Sequence, residues 1–356
     1  MKEKVLLVTK CGKNYGATLQ AYALSQSIKK KPYSLSVLNY SSKNLSEQFR
    51  MFRQIRSLKD VLYNILLIPR YKQIKKANQR FIEFHNEHLN LTQAYINEDE
   101  IINNPPQADI YIVGSDQVWN PNIKFSPIYF LNFGPLDVHR YSYSASIGIS
   151  TLPHEYISSV QKYLSNFCSI SVREESAERL LNEMGIHSIT TVDPTLLLSK
   201  EEWTDIANEP SENNYILVYS LYKSELLKSV AEKIKGMTHC KIVCVATSVR
   251  LQNFGDKIIW DAGPREFIGL IKNASYVVTS SYHGMLFSLI FGKPFFVIPP
   301  DSTSCRFNDF LSSINMQNRI IHSEEEVTEK TMIMEQENTL LKDKIKQSND
   351  YLDNIV

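Results

Sequence analysis

YVVTSSYHGMLFSLIFGKPFFVI, at residues 276–298, is the stretch whose reading decides the fold. Tyr276, Val277 and Val278 form a short apolar run closed by Thr279, Ser280 and Ser281, as in a buried parallel strand that ends in polar residues. Met285, Leu286, Leu289 and Ile290 then recur at spacings that give a helix one buried face. Gly292 and Pro294 stop that helix, and 295–298 returns to strand. His283 and Gly284 stand at the strand-to-helix turn, the ligand side of a doubly wound sheet. Amides there favour an anion, which makes Ser281 and Gly284 candidate ligands and His283 a candidate acid or base. A purely capping role for His283 fits the same pattern.

The same strand–turn–helix unit recurs outward from this stretch. A strand over 4–9 leads into Lys10, Cys11, Gly12, Lys13, Asn14, Tyr15, Gly16 and Ala17, then a helix over about 18–30. Asn14 and Gly16 belong either to an anion-binding loop or to a tight turn that uses Gly16 for backbone freedom. A strand over 108–113 ends in Gly114, Ser115 and Asp116, which offers a carboxylate to sugar hydroxyls, a base, or a helix cap. The alternating run 140–148 reads as a further strand. The strand over 168–172 ends at Arg173, whose guanidinium grips a carboxylate or phosphate bidentately, or else pairs with Glu174, Glu175 or Glu178.

After a polar linker at 208–214 the alternation restarts, with strands at 215–220, 241–246 and 258–260 and helices at 221–235 and 264–272. Arg306, at the end of a loop, is a second candidate anion ligand. The expectation is an α/β chain of two Rossmann-like domains facing a cleft, 1–207 and 208–322, with a helical tail at 323–356. Ser323 and Glu326 offer that tail a capping box. Met334, Leu341, Ile345 and Leu352 give it a stripe that packs back on the body.

Composition sets the bounds. A chain of 356 residues with 43% apolar and 22% charged residues is globular, and a net charge of +1 predicts no attraction to nucleic acid. No run of eighteen apolar residues and no signal-peptide pattern occur, and the five cysteines are scattered; a reducing cytoplasm fits. Cys240 and Cys244 share a strand face and read as core, so no metal site is expected. The segment 41–90 differs in character. Over 50–80 it holds nine Lys/Arg against Asp60 alone, interleaved with apolar residues at helical spacing. Two readings stand: a helical insertion packed on its own domain, and a basic amphipathic surface lying peripherally on an anionic membrane at its inner face.

With these residues in view, the chain resembles the polysaccharide pyruvyl transferase family. The motifs run in order: Asn14-Tyr15-Gly16-Ala17 with Leu19-Gln20-Ala21-Tyr22, Gly114-Ser115-Asp116-Gln117-Val118-Trp119, Ser171-Val172-Arg173-Glu174, Asp193-Pro194-Thr195, Glu266-Phe267, Ser281-Tyr282-His283-Gly284 and Ser304-Cys305-Arg306. They cover about 1–311 apart from the basic segment. The resemblance implies a GT-B-like fold and transfer of pyruvate from phosphoenolpyruvate to a sugar of a surface polysaccharide or its lipid-linked precursor, commonly as a ketal; with no metal motif in the sequence, no cofactor is expected. It also implies a catalytic His283 and an Arg173 that docks phosphoenolpyruvate; Arg306 falls in a motif where Cys305 replaces a common serine. Asp116 is the carboxylate placed toward the acceptor. A GT-B nucleotide-sugar glycosyltransferase is the rival reading, although the second half has no Glu-x7-Glu-like ribose signature. A scaffold protein is the other, opposed by the joint presence of Asp116, Arg173 and His283.

Overall fold

A computed structural model describes residues 2–40, 49–123, 125–246, 254–301, 304–334 and 338–356. The first half runs β1 (Lys4–Val8), α1 (Tyr15–Lys29), β2 (Ser34–Tyr40), α2 (Leu58–Leu67), α3 (Tyr71–His88), β3 (Leu91–Tyr95), α4 (Glu98–Asn103), β4 (Ile110–Val113), β5 (His139–Ser142), α5 (His154–Leu164), β6 (Ser171–Val172), α6 (Glu175–Glu183), β7 (Ile189–Thr190) and α7 (Lys200–Asp205). The second runs β8 (Tyr215–Tyr219), α8 (Glu225–Thr238), β9 (Lys241–Val245), β10 (Lys257–Ile259), α9 (Pro264–Asn273), β11 (Tyr276–Thr279), α10 (Tyr282–Ile290), β12 (Phe295–Val297), α11 (Ser304–Ser313) and α12 (Thr339–Ile355).

Each half is a five-stranded, wholly parallel sheet, ordered β3-β2-β1-β4-β5 and β10-β9-β8-β11-β12. The strands are near-continuous apolar runs because helices cover both faces; all five residues of β8 are buried. Strand order reverses at β1/β4 and at β8/β11, so the loops after β1, β4 and β11 open at the switch points where such sheets bind ligands. A two-stranded parallel pair, β6–β7, carries Arg173 and Asp193 just beyond its ends and joins the first sheet through single bridges at Tyr141/Ser169 and Ala145/Val172.

One apolar core crosses between the halves. Tyr15 on α1 stacks on Phe267 of α9 with ring centroids 4.4 Å apart and donates its hydroxyl to the carbonyl of Ala262 at 2.9 Å. Trp203 meets Phe287 edge-on at 4.8 Å. α12 returns to the first half: the Val192 amide donates to Ser348 Oγ, and the Tyr351 hydroxyl donates to the Ser142 carbonyl.

Several sequence expectations need correction. Ser323 and Glu326 form no capping box: the chain closes a single 3₁₀ turn at Glu324–Glu326 and leaves it, so no helix follows for a cap to serve. The tail helix starts instead at Asn338, whose side chain accepts from Leu341 N; Met334 therefore lies outside it, while Leu341, Ile345 and Leu352 lie on it. The run 140–148 is strand only to Ser142, because Ser144 and Gly148 adopt positive φ (52° and 71°) and turn the chain. β3 was not legible as a strand.

The basic segment divides in two; its residues 41–48 lie outside the described residues. α3 buries Phe81 and Phe84 in the shared core, and Arg80 reaches Asp261 and Glu266 of the second half. α2 leaves most of its apolar side chains in solvent.

Inside α3, His85 Nε2 lies 2.9 Å from Thr18 Oγ1, and burial pulls its pKa from 6.5 down to about 4. The unfolded chain therefore binds a proton that the folded chain refuses, so stability falls as pH drops from 6.5 to 4, by roughly 3 kcal/mol from this group. A His85→Gln variant is expected to flatten that slope in urea midpoints measured from pH 7 to 4; an unchanged slope would refute it.

Candidate active site

His283 is the second residue of α10 and is 7% exposed. Its Nε2 lies 3.3 Å from Asp193 Oδ2, an ion-pair distance at an angle that makes no hydrogen bond. The other side of the ring presses on Gly16: a Cβ there would stand 2.1 Å from Nδ1. Gly16 lies within α1 without positive φ, so its value is close approach to His283, not the backbone freedom the turn suggested. Gly16→Ala is expected to displace the imidazole by about an ångström and lower turnover about 100-fold, with the fold retained by circular dichroism; full turnover would exclude His283 from the chemistry.

Asp193 is wholly buried and saturated. Oδ2 accepts from Arg173 Nη1 at 3.0 Å and Ser115 Oγ at 3.1 Å, while Oδ1 accepts from the Thr195 amide and hydroxyl at 3.0 and 2.8 Å. Burial alone would raise its pKa, but His283, Arg173 and the Thr195 amide hold it well below the usual carboxylate range.

Arg173 is fully buried. Beyond Asp193 it donates Nε to Glu174 Oε1 at 3.2 Å and lies 4.5 Å over the Tyr282 ring. Its ordinary salt bridge thus exists, yet Nη2 has no hydrogen-bond partner among the described residues. The contrast with Arg140 is instructive: that buried guanidinium donates to five backbone carbonyls, of Leu131, Phe133, Pro135, Leu136 and Val138. Arg306, on α11, stands 5.7 Å from the same Tyr282 ring with Nε also unpartnered. Burial and the facing Arg173 push its pKa down, with Glu174 and Asp116 opposing. Two cations sharing one aromatic plate, each with a buried N–H unspent, leave a place for an anion.

Asp116 is half-buried at φ 75°, a left-handed conformation that Asp tolerates, and its Oδ1 accepts from Gln117 N at 2.7 Å. Burial would raise its pKa; Lys10, Arg173 and His283 bring it below normal. Lys10 donates Nζ to the Gln117 carbonyl, and burial lowers its own pKa.

The structure gathers His283, Asp116, Arg173, Arg306 and Gly16 at one place. The other three candidates are committed elsewhere: Asn14 Oδ1 caps α1 through Ala17 N, and Ser281 Oγ caps α10 through Gly284 N, which occupies the Gly284 amide. Among the described residues, the first-turn amides of Tyr282 and His283 are left without an acceptor. Sequence reading missed Lys10, Glu174, Asp193 and Tyr282 as site groups. Asp193-Pro194-Thr195 was visible as a motif with no role attached to its carboxylate; in the structure Asp193 caps the 3₁₀ turn Pro194–Leu197 while also facing His283.

A cavity of about 310 Å³ next to Lys13, Asn14 and Tyr15 and one of about 440 Å³ against Cys305 lie beside this cluster, a cavity of only about 30 Å³ touches Arg173 itself, and one of about 710 Å³ lies away from it, between Leu289, Arg319 and Leu341. The unspent buried donors, not cavity size, mark the candidate site. Among the described residues no three His, Cys, Asp or Glu side chains are grouped to hold a metal, and no helix is long and apolar enough to cross a membrane.

Comparison with known proteins bears on the fold and the family. No curated protein matches the chain in sequence. Similar solved structures include UDP-GlcNAc 2-epimerase from Methanocaldococcus jannaschii in complex with UDP-GlcNAc and UDP (13% identity, TM-score 0.54, covering 100% of this chain and 99% of that one). UDP-N-acetylglucosamine 2-epimerase from Rickettsia bellii (13%, 0.51, 100% and 99%) and a putative one from Listeria monocytogenes (10%, 0.51, 100% and 92%) are also similar. At such identities the likeness is one of fold, the GT-B pair of Rossmann-like domains. The family model for polysaccharide pyruvyl transferases matches residues 14–302, from the cap of α1 to beyond β12, and the chain belongs to that family.

Proposed function

We propose that the enzyme moves pyruvate from phosphoenolpyruvate onto two hydroxyls of a sugar, in a surface polysaccharide or its lipid-linked precursor, as a ketal with release of phosphate. The observation that carries this reading is the pair of unspent buried donors, Arg173 Nη2 and Arg306 Nε, whose guanidiniums both lie near the Tyr282 ring, beside the His283–Asp193 pair. Phosphoenolpyruvate brings two anionic groups to one small carbon frame, and two fixed guanidiniums with Lys10 nearby suit it.

In the reaction the methylene carbon gains one proton, C2 becomes oxocarbenium-like, and the bond from C2 to the phosphate oxygen breaks. Two acceptor oxygens bond to C2. Of their two protons, one balances that on the new methyl group and the other leaves with the phosphate. His283 is the proton carrier we assign, held in position by Asp193, and Asp116 faces the acceptor hydroxyls. The reading needs no metal and no cofactor: turnover should survive exhaustive chelation, and loss reversed by one metal would count against it. We place the reaction in the cytoplasm.

The direct test incubates the protein with phosphoenolpyruvate and lipid-linked glycans, following phosphate and acceptor mass. Phosphate release matched by a pyruvyl ketal increment is the expected result. Consumption of a nucleotide sugar, with phosphoenolpyruvate untouched across varied acceptors, would overturn it in favour of glycosyl transfer.

A further inference from the structure

We propose that the outer face of α2 seats the enzyme on an anionic bilayer, placing the cleft within reach of a sugar acceptor carried on a membrane lipid. Leu58, Leu62, Ile65 and Leu66 form one stripe on α2 at helical spacing and are 82%, 61%, 53% and 54% exposed. Ile55 and Ile68, at the two ends of the helix, are exposed as well. Scattered apolar residues on a surface are ordinary; six in one contiguous stretch are not. Arg56 and Lys59 flank the first stripe residue in sequence, Lys72 and Lys75 follow in the first turns of α3, all four are exposed, and 50–80 as a whole carries nine cations against Asp60. An apolar face rimmed by cations is complementary to lipid acyl chains beneath anionic headgroups.

The helix is anchored for this role. Behind it, α3 is fixed to both halves through Phe81, Phe84 and the Arg80 pairs with Asp261 and Glu266. The inner face of α2 is specialised differently: Tyr63 and Leu67 line the cavity of about 310 Å³ that also meets Lys13, Tyr15, Arg50 and Trp260. Arg53 stacks 3.9 Å over Tyr63, and Arg70 lies 4.8 Å over Trp260. That cavity borders the loop into α1, whose Gly16 abuts His283. One short helix therefore separates the proposed bilayer from a cationic, aromatic recess beside the reaction centre. The docking stands by itself; only the acceptor clause rests on the pyruvyl transfer reading.

The experiment sediments the full chain with vesicles of phosphatidylglycerol and phosphatidylcholine, against phosphatidylcholine alone, at low and high salt. It compares wild type with Leu62→Glu/Ile65→Glu, whose targets are exposed and outside the core. Expected are at least tenfold stronger binding to the anionic vesicles, weakening with salt, and at least tenfold loss in the variant, with urea stability and turnover on a water-soluble acceptor unchanged. Absence of binding to anionic vesicles, or equal binding by the variant, would overturn the docking. So would a dimer that the variant dissociates in ultracentrifugation, since a second copy would then cover the stripe. Vesicle binding without any phosphoenolpyruvate turnover would uphold the docking and remove the acceptor clause alone.

Discussion

His283→Ala is expected to lower turnover roughly 100- to 10,000-fold, the usual worth of a positioned proton carrier, and to leave the fold intact. The fold should survive because alanine suits the second position of α10, and Ser281 still caps the helix through Gly284 N. Asp193 also keeps four hydrogen bonds after the imidazole is gone: from Arg173 Nη1, Ser115 Oγ, and the amide and hydroxyl of Thr195. Affinity for phosphoenolpyruvate should change little, since Arg173 and Arg306 remain. The effect then falls on kcat rather than KM, as for an interaction made in the transition state. The alternative, that His283 only fills space against Gly16, predicts the opposite pattern. It gives near-normal kcat in His283→Ala and even in the paired Gly16→Ala/His283→Ala variant, where the clash has been removed. Steady-state kinetics on these variants separates the two.

How much of this was legible in the chain follows from the range of each interaction. The strands, the turns after them and the two-unit plan rest on local apolar runs and small polar closures, as at Val277-Val278-Thr279, and these survived folding nearly as read. β3 did not declare itself, because Leu91–Tyr95 is an edge strand with only Tyr95 fully buried and no continuous apolar run. Arg173 and His283 were visible because Arg173 follows the end of one strand and His283 stands at the turn from another strand into a helix. Asp193 was visible only as part of a family motif: its place in the site depends on His283 ninety positions away, and no local pattern carries that pairing. Gly16 was read for the wrong reason on the same ground, since the ring that excludes a side chain there comes from the other half of the molecule. The resemblance to a family supplied the chemistry; the geometry supplied the partners.

Asp193→Asn carries the largest expected loss of stability, about 3–5 kcal/mol, the range for breaking a buried ion pair by removing one partner. The carboxylate receives Arg173 Nη1 and Ser115 Oγ on the same oxygen that His283 faces, with no water-exposed surface to soften the loss. Asparagine keeps the bonds from Thr195 but turns either a neutral oxygen or an amide N–H toward a guanidinium that is itself buried. Glu174 remains as the partner of Arg173, so the protein should still fold, with a lower urea midpoint. The sign of the pH dependence follows from the depressed pKa. The unfolded carboxyl titrates near about 3.9 and the folded one well below it, so its stabilisation is present above about pH 3.9 and is lost as pH falls through that value toward the folded one. The gap between wild type and Asp193→Asn should therefore be constant at neutral pH and narrow below about pH 4. Arg173→Gln combined with Asp193→Asn should destabilise by at least about 1 kcal/mol less than the sum of the single changes, since the second loses a partner already absent. Additive losses, or a gap that widens in acid, would show that the two side chains are not held together as the geometry has them, and the positioning of His283 by Asp193 would fall with that result.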